Sequence, residues 1–312
     1  MSSVASQVPF KRTLRAPLKR ALREAGAFMF LLPHFALFVL FVVYPLGYGL
    51  FISFHRWTLL DPPRYVAWGN FVRIWGDARF WDAVMNTVVF AAISVPITVA
   101  LGLLLALLLN QQLHGRLWLM VAFVSPVFFS SIGILLSWNW VLASFPAGLV
   151  NFYLMQAGLL TLPVSWFGTP ASAWFWIIVI TVWWIVGFGT LLFLGALQKI
   201  PPEQYESAMI DGAGAWARFQ HITLPWIRNV LIFETVRQVI LAFGLFDQVF
   251  ILTGGGPGGA TRTMVLYMYQ MGFDRQQLGL AAAISWYIFI VIILFGLIQL
   301  AFIARSVRSA ED

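Results

Sequence analysis

Long runs of apolar residues free of charge set the first constraint on this chain. Residues 28–43 and 88–109 contain no Asp, Glu, Lys or Arg. Runs of that length in a soluble domain would leave too little polar surface to face water. The rest of the chain offers no compensation, being 61% apolar and 10% charged overall, against about 45–50% and about 25% in soluble domains. Lipid is therefore the expected solvent, and windows of about twenty residues give six spans, near 26–49, 86–109, 118–142, 173–197, 230–253 and 278–303.

The first span follows a basic segment, a pattern shared with secretory leaders. At about 1.5 Å per residue it is long enough to cross a hydrocarbon core. No small-residue cleavage pattern ends it, so a retained span is expected. The net charge of +7 marks topology rather than nucleic-acid binding, because the basic residues flank apolar spans instead of interleaving with exposed aromatics. One side of the membrane would hold Lys11, Arg12, Arg15, Lys19, Arg20, Arg23, Arg116, Lys199, Arg218, Arg228, Arg305 and Arg308. The other would hold Arg56, Arg64, Arg73, Arg79, Arg262 and Arg275. The twelve-to-six excess places both termini in the cytoplasm.

The expected fold is thus an all-α polytopic membrane protein of six transmembrane helices, built as a basic cytoplasmic tail (1–25), a transmembrane domain (26–305) and a short cytoplasmic tail (306–312). Cys is absent and His numbers four, so neither a disulfide framework nor a metal site is expected. The abundant Trp and Phe read first as lipid-facing and interfacial bulk.

The long inner loop, 198–229, is the most informative segment. Pro201 and Pro202 suit a helix start, and Glu203 and Glu206 sit where carboxylates favour the positive end of the helix dipole. Gly212 ends that helix. A second short helix follows, with Trp216, Phe219 and Ile222 at three-residue spacing, before Pro225 turns the chain into the fifth span. On this pattern alone the pair is either an interfacial amphipathic loop or a docking element for a groove on a partner.

The residues themselves carry a resemblance. Glu206-Ser207-Ala208, then Asp211-Gly212, then nine residues, then Ile222 and Leu224-Pro225, resemble the coupling-loop motif of ATP-binding-cassette (ABC) importer permeases, written Glu-Ala-Ala, Gly and Ile-x-Leu-Pro. Ser207 stands in place of an Ala. The run 247–261, with its Thr253-Gly-Gly-Gly-Pro257 turn, and Tyr267-Met-Tyr269 look like the outer segment of carbohydrate-type permeases, in particular the maltose-type first permease subunit. Without Gly-Lys-Ser/Thr it is no phosphate-binding loop. With Asn86-Thr87 opening the second span, the resemblance covers most of 28–305.

The resemblance implies that Glu206, Ser207, Ala208, Asp211, Gly212, Ile222, Leu224 and Pro225 form a coupling helix seated in a cleft of an ATPase subunit. It implies a second permease subunit, two ABC ATPase subunits holding ATP and Mg, and an extracytoplasmic solute-binding protein. No Walker A pattern occurs in the chain, so no catalytic residue and no cofactor are assigned to it. The implied solute is a carbohydrate, polyol or sugar phosphate. In the spans, Glu234 and Arg237 lie one turn apart and can pair. Trp183, Trp184, Gly187 and Gln238 are candidates for the solute pathway, with lipid-facing aromatics and helix-packing glycine as the alternative. Glu234 and Asp247 also leave open an ion-coupled secondary transporter.

Overall fold

The computed structural model describes residues 31–58, 60–111, 114–145 and 148–308, with side chains to residue 299. The basic tail 1–25, the first residues of the first span and the last four residues lie outside these. The chain divides into a unit ending at Ile52 and a second unit from Ser53 onward. The described residues of the first form helix α1 (Leu31–Ser53, its last residue counted with the second unit), which includes a π-turn at Val39–Val43. Tyr44, Tyr48 and Phe51 stack along it at 6.0 Å.

The second unit opens with one departure from the all-α expectation, an antiparallel pair of two-residue strands, β1 (His55–Arg56) and β2 (Arg64–Tyr65). Helix α2 (Gly69–Trp75) secures it, as the Asn70 amide donates to the carbonyls of Ser53 and His55 at 2.8 and 2.9 Å. Opposite the pair lies Gly279, where a Cβ would stand 2.0 Å from the His55 carbonyl oxygen, so only glycine fits. Helix α3 (Ala78–Leu109) begins at an Asp77 cap that accepts from the Arg79 N–H. It starts before residue 86 because its outer turns carry Arg79 and Asp82, which hydropathy discounts.

The helix expected over 118–142 is instead broken. Helix α4 (Arg116–Val124) runs into a 3₁₀ turn at Ser125–Phe128, and α5 (Ser131–Val141) leaves at 102°. Pro126 in the 3₁₀ turn lacks an N–H, and Phe129 is extended (φ −84°, ψ 153°), so the hydrogen-bond ladder cannot continue. Helix α6 (Leu149–Gln156) lies in the following loop. Helix α7 (Pro170–Leu197) starts at a Thr169–Ser172 capping box. Helices α8 (Pro202–Ile210), α9 (Ala215–Arg218) and α10 (Leu224–Phe243) form the inner loop and fifth segment. That segment also breaks, at Gly244–Phe246, before α11 (Asp247–Leu252). Helix α12 (Met264–Tyr269) and α13 (Leu278–Arg308) complete the chain.

Helix α3 packs along α7, with Gly102 at the contact, where a Cβ would meet the Thr190 nitrogen at an ordinary 3.5 Å. Phe90, Val95, Ile177, Ile180, Phe193 and Phe243 form the main core between α3, α7 and α10. A second core under the outer loops joins Ile74, Phe80, Met264, Tyr267 and Ile284. Large apolar side chains such as Leu104, Phe175 and Phe233 are exposed, an outer surface suited to lipid and costly in water. Among the described residues four helices are long and apolar enough to cross a membrane, or five with the bent pair as one. Helix α10, which carries Arg228, Glu234 and Arg237, falls outside that set.

Candidate functional site

The loop 198–229 folds into an elbow whose geometry is set by Gly212. Helix α8 has Pro202 in its first turn and closes with a paired C-terminal motif, the Ala213 N–H donating to the Ala208 carbonyl at 2.8 Å and the Gly212 N–H to the Met209 carbonyl at 3.1 Å. Gly212 has φ +79°, a conformation that a Cβ penalises. Glu206, Ser207, Asp211 and Gly212 are exposed, while Ala208 is half-buried.

Beyond the elbow, α9 does not end at Pro225. A π-turn at Phe219–Thr223 joins it to α10. The wider i→i+5 pattern lets the helix run on through Pro225, whose missing N–H would interrupt an ordinary ladder. Ile222 and Leu224 are half-buried and Pro225 exposed. From Ala215 to Phe243 the helix therefore runs for about 40 Å without a corner.

Two hydrogen bonds that spacing does not reveal brace the elbow. The Trp226 indole N–H donates to the Gln204 amide oxygen at 2.7 Å, and the Tyr205 and Thr223 hydroxyls lie 2.9 Å apart. Met209, Ile210 and Trp216 are 51, 86 and 67% exposed, with Trp216 stacked on Phe219 at 5.4 Å. An apolar ridge of this kind at a polar surface suits docking.

Within α10, Glu234 is completely buried and saturated with donors. Its Oε1 accepts from Arg237 Nη2 at 2.7 Å and Gln238 Nε2 at 2.8 Å, and its Oε2 from Arg237 Nε at 2.8 Å. The Arg237 guanidinium also lies 4.3 Å from the Phe188 ring centroid. Gly189 leaves room for the carboxylate, as a Cβ there would stand 2.8 Å from Oε1.

A cavity of about 250 Å³ opens beside this network, lined by Phe90, Thr181, Trp184, Gln238, Asp247 and Gln248 among others. Trp184 and Gln238 thus meet in one place. Trp183 and Gly187 do not join them. Trp183 lines a separate apolar groove with Ile97 and Phe175 and meets Trp138 edge-on at 5.7 Å. Gly187 packs on the backbone of Phe123 and Val124, where a Cβ would stand 2.5 Å from a carbonyl oxygen. Thr181 is not legible from the sequence, since a lone hydroxyl in an apolar helix gives no spacing signal.

The glycine-rich loop after α11 is held by several hydrogen bonds. The Thr261 hydroxyl donates to the Gly256 carbonyl at 2.7 Å. Asn86 donates to the Arg262 carbonyl at 3.0 Å, Thr87 Oγ1 accepts from the Met264 N–H at 3.0 Å, and the Trp174 indole N–H donates to Ala260 at 3.0 Å. Nearby, the Tyr267 hydroxyl donates to Asp77 at 2.5 Å. Burial raises the Asp77 carboxyl's affinity for its proton, but the Tyr267 and Arg79 hydrogen bonds with the Arg79 and Arg275 charges outweigh it and hold its pKa below the usual value. Burial and the same bond push the Tyr267 hydroxyl upward. Among the described residues no three His, Asp or Glu side chains converge as a metal site.

Residues 74–309 match the family described as binding-protein-dependent transport system inner membrane component. The chain belongs to this family. It is 36% identical over 280 residues to the trehalose/maltose transport system permease protein MalF of Thermococcus litoralis, covering 89% of this chain and 94% of that one. It is 32% identical to the lactose transport system permease protein LacF of Rhizobium radiobacter, covering 92% and 96%. In fold it is similar to a chain of a bacterial alginate ABC transporter solved with an alginate pentasaccharide-bound periplasmic protein, with a TM-score of 0.78 over 90% of this chain and 94% of that one at 24% identity.

Proposed function

We propose that this chain is the permease subunit of an ABC sugar importer and forms half of its translocation pathway. It works with a second permease subunit, two ABC ATPase subunits that bind ATP and Mg, and an extracytoplasmic solute-binding protein. It sits in the prokaryotic inner or plasma membrane, contacts lipid and no nucleic acid, and spans the bilayer six times with both termini in the cytoplasm. On this reading the bent segment α4–α5 and the charged helix α10 are the third and fifth spans.

The observation that carries the proposal is the elbow. Its Gly212 conformation, its exposed Glu206–Asp211 face and its apolar ridge present a short rigid element to a partner, at the positions where the coupling motif falls. Closure of the ATPase pair would move the elbow, and the cornerless helix from α9 through α10 would carry the motion to the cavity at its far end. There Trp184 offers a ring for an apolar sugar face, and the amides of Gln238 and Gln248 offer hydrogen bonds to hydroxyls. Of the two carboxylates that an ion-coupled alternative would use, Glu234 is held by three donors and Asp247 lines the cavity, so the energy source is what separates the two readings. Reconstitution with the partner subunits tests the role. Deleting 216–224 should abolish retention of the ATPase, and full retention would remove the docking role.

A further inference from the structure

In the cavity beside α10 the sense of one hydrogen-bonding group is fixed from behind. Gln238 is 2% exposed, and its Nε2 donates to a Glu234 carboxylate oxygen at 2.8 Å. A carboxylate only accepts, so the Gln238 amide cannot turn over without setting its own oxygen against that carboxylate. The amide oxygen makes no hydrogen bond among the described residues and remains as an acceptor on a side chain that lines the cavity. Glu234 is held in turn by Arg237, which donates to both of its oxygens. Whatever fixes Glu234 therefore fixes which end of the amide a solute meets.

Two more polar groups on the lining come from α7. Threonines in helices usually return their hydroxyl to the carbonyl one turn back, as Thr87, Thr98, Thr190 and Thr235 do here. Thr181 is 4% exposed, yet its hydroxyl has no partner among the described residues, and neither has the buried indole N–H of Trp184. Buried polar atoms without partners are uncommon and costly. These two lie three residues apart, on one face of the helix, and both residues line the cavity. We propose that Thr181 is a solute-binding residue and that Glu234 is a positioning residue acting through Gln238, so that the cavity reads a pair of neighbouring hydroxyls. One hydroxyl donates to the Gln238 oxygen and the other accepts from the Trp184 indole, while the Thr181 hydroxyl, able to do both, bonds to either. The proposal rests on the reading of this cavity as a place where the solute binds.

The test is equilibrium dialysis of labelled maltose, trehalose and lactose against the complete importer in lipid nanodiscs, binding protein omitted, with the variants measured on whichever sugar binds best. Thr181→Val removes the hydroxyl at nearly constant shape and should weaken binding by about 3- to 10-fold. Thr181→Ser, which keeps the hydroxyl, should recover most of that loss, and Gln238→Leu should weaken binding by a similar factor. Glu234→Gln lets the Gln238 amide turn over. It should therefore weaken binding in the wild-type background and add nothing in the Gln238→Leu background. Should Glu234→Gln fail to assemble, the cycle is run with Glu234→Gln and Arg237→Met together, which leaves no unpaired charge. Wild-type affinity in Thr181→Val, with Gln238→Leu still weakened, would mean that water alone meets that hydroxyl and would overturn the role of Thr181. An equal loss from Glu234→Gln in both backgrounds would be plain structural damage and would overturn the positioning role. Either result leaves the cavity reading standing. Failure of all three sugars to bind the wild type, or binding indifferent to both Thr181→Val and Gln238→Leu, would overturn that reading and the proposal together.

Discussion

Four residues have environments specific enough to predict what their replacement does. At Gly212 nothing lies within 4 Å of where a Cβ would be, so the obstacle is φ and not space. Ala should then cost about as much as a larger residue, roughly 1–2 kcal/mol of local strain. ATP-driven uptake should fall while membrane insertion, followed by fractionation, stays unchanged. Gly189 presents the opposite case. Its backbone is ordinary, but Gly189→Ala would press on the Glu234 carboxylate. Glu234→Ala would leave Arg237 without its partner and destabilise the subunit by on the order of 3 kcal/mol, measurable as a lowered Tm in detergent. At Asp77 the sign follows from the depressed pKa. Its contribution is present above the ordinary carboxylate range near pH 4 and is lost as pH falls through its own lower value. The Tm difference between the wild type and Asp77→Asn should therefore be present at pH 7 and close on acidification.

Among the elements, the braces across the elbow set the angle between α8 and α10. Tyr205→Phe with Gln204→Ala removes both while leaving the motif residues in place. The expected result is continued ATPase binding with fewer solute molecules moved per ATP hydrolysed, read by measuring both rates in proteoliposomes. Much of this architecture was legible in sequence. Apolar runs located the helices, and Pro202 and Gly212 marked both ends of α8 because each acts through its own backbone. The breaks were less visible. Hydropathy averages over Pro126 and Gly244, so the bends within 118–142 and 230–253 appear only when the hydrogen-bond ladder is followed. Pro225 misled in the other direction, since a π-turn absorbs the missing N–H that would normally force a corner. In the site, Trp184 and Gln238 were foreseeable as polar-tipped groups at membrane depth. Trp183 faces elsewhere because helical rotation turns adjacent positions to different faces, and Gly187 is taken up by close packing on the backbone of Phe123 and Val124.

For the whole molecule, the proposed reading makes the elbow a docking element, the helix from α9 through α10 a lever and the cavity a place for solute, with the energy source on a partner, and that is the central claim. The measurement that tests it most directly is solute uptake into proteoliposomes containing this chain with its partner permease and ATPases, with ATP supplied and the proton and sodium gradients collapsed. Uptake that continues at full rate and stops when ATP is withdrawn is the expected result. Uptake that proceeds only while an ion gradient is maintained, and is indifferent to ATP, would contradict it.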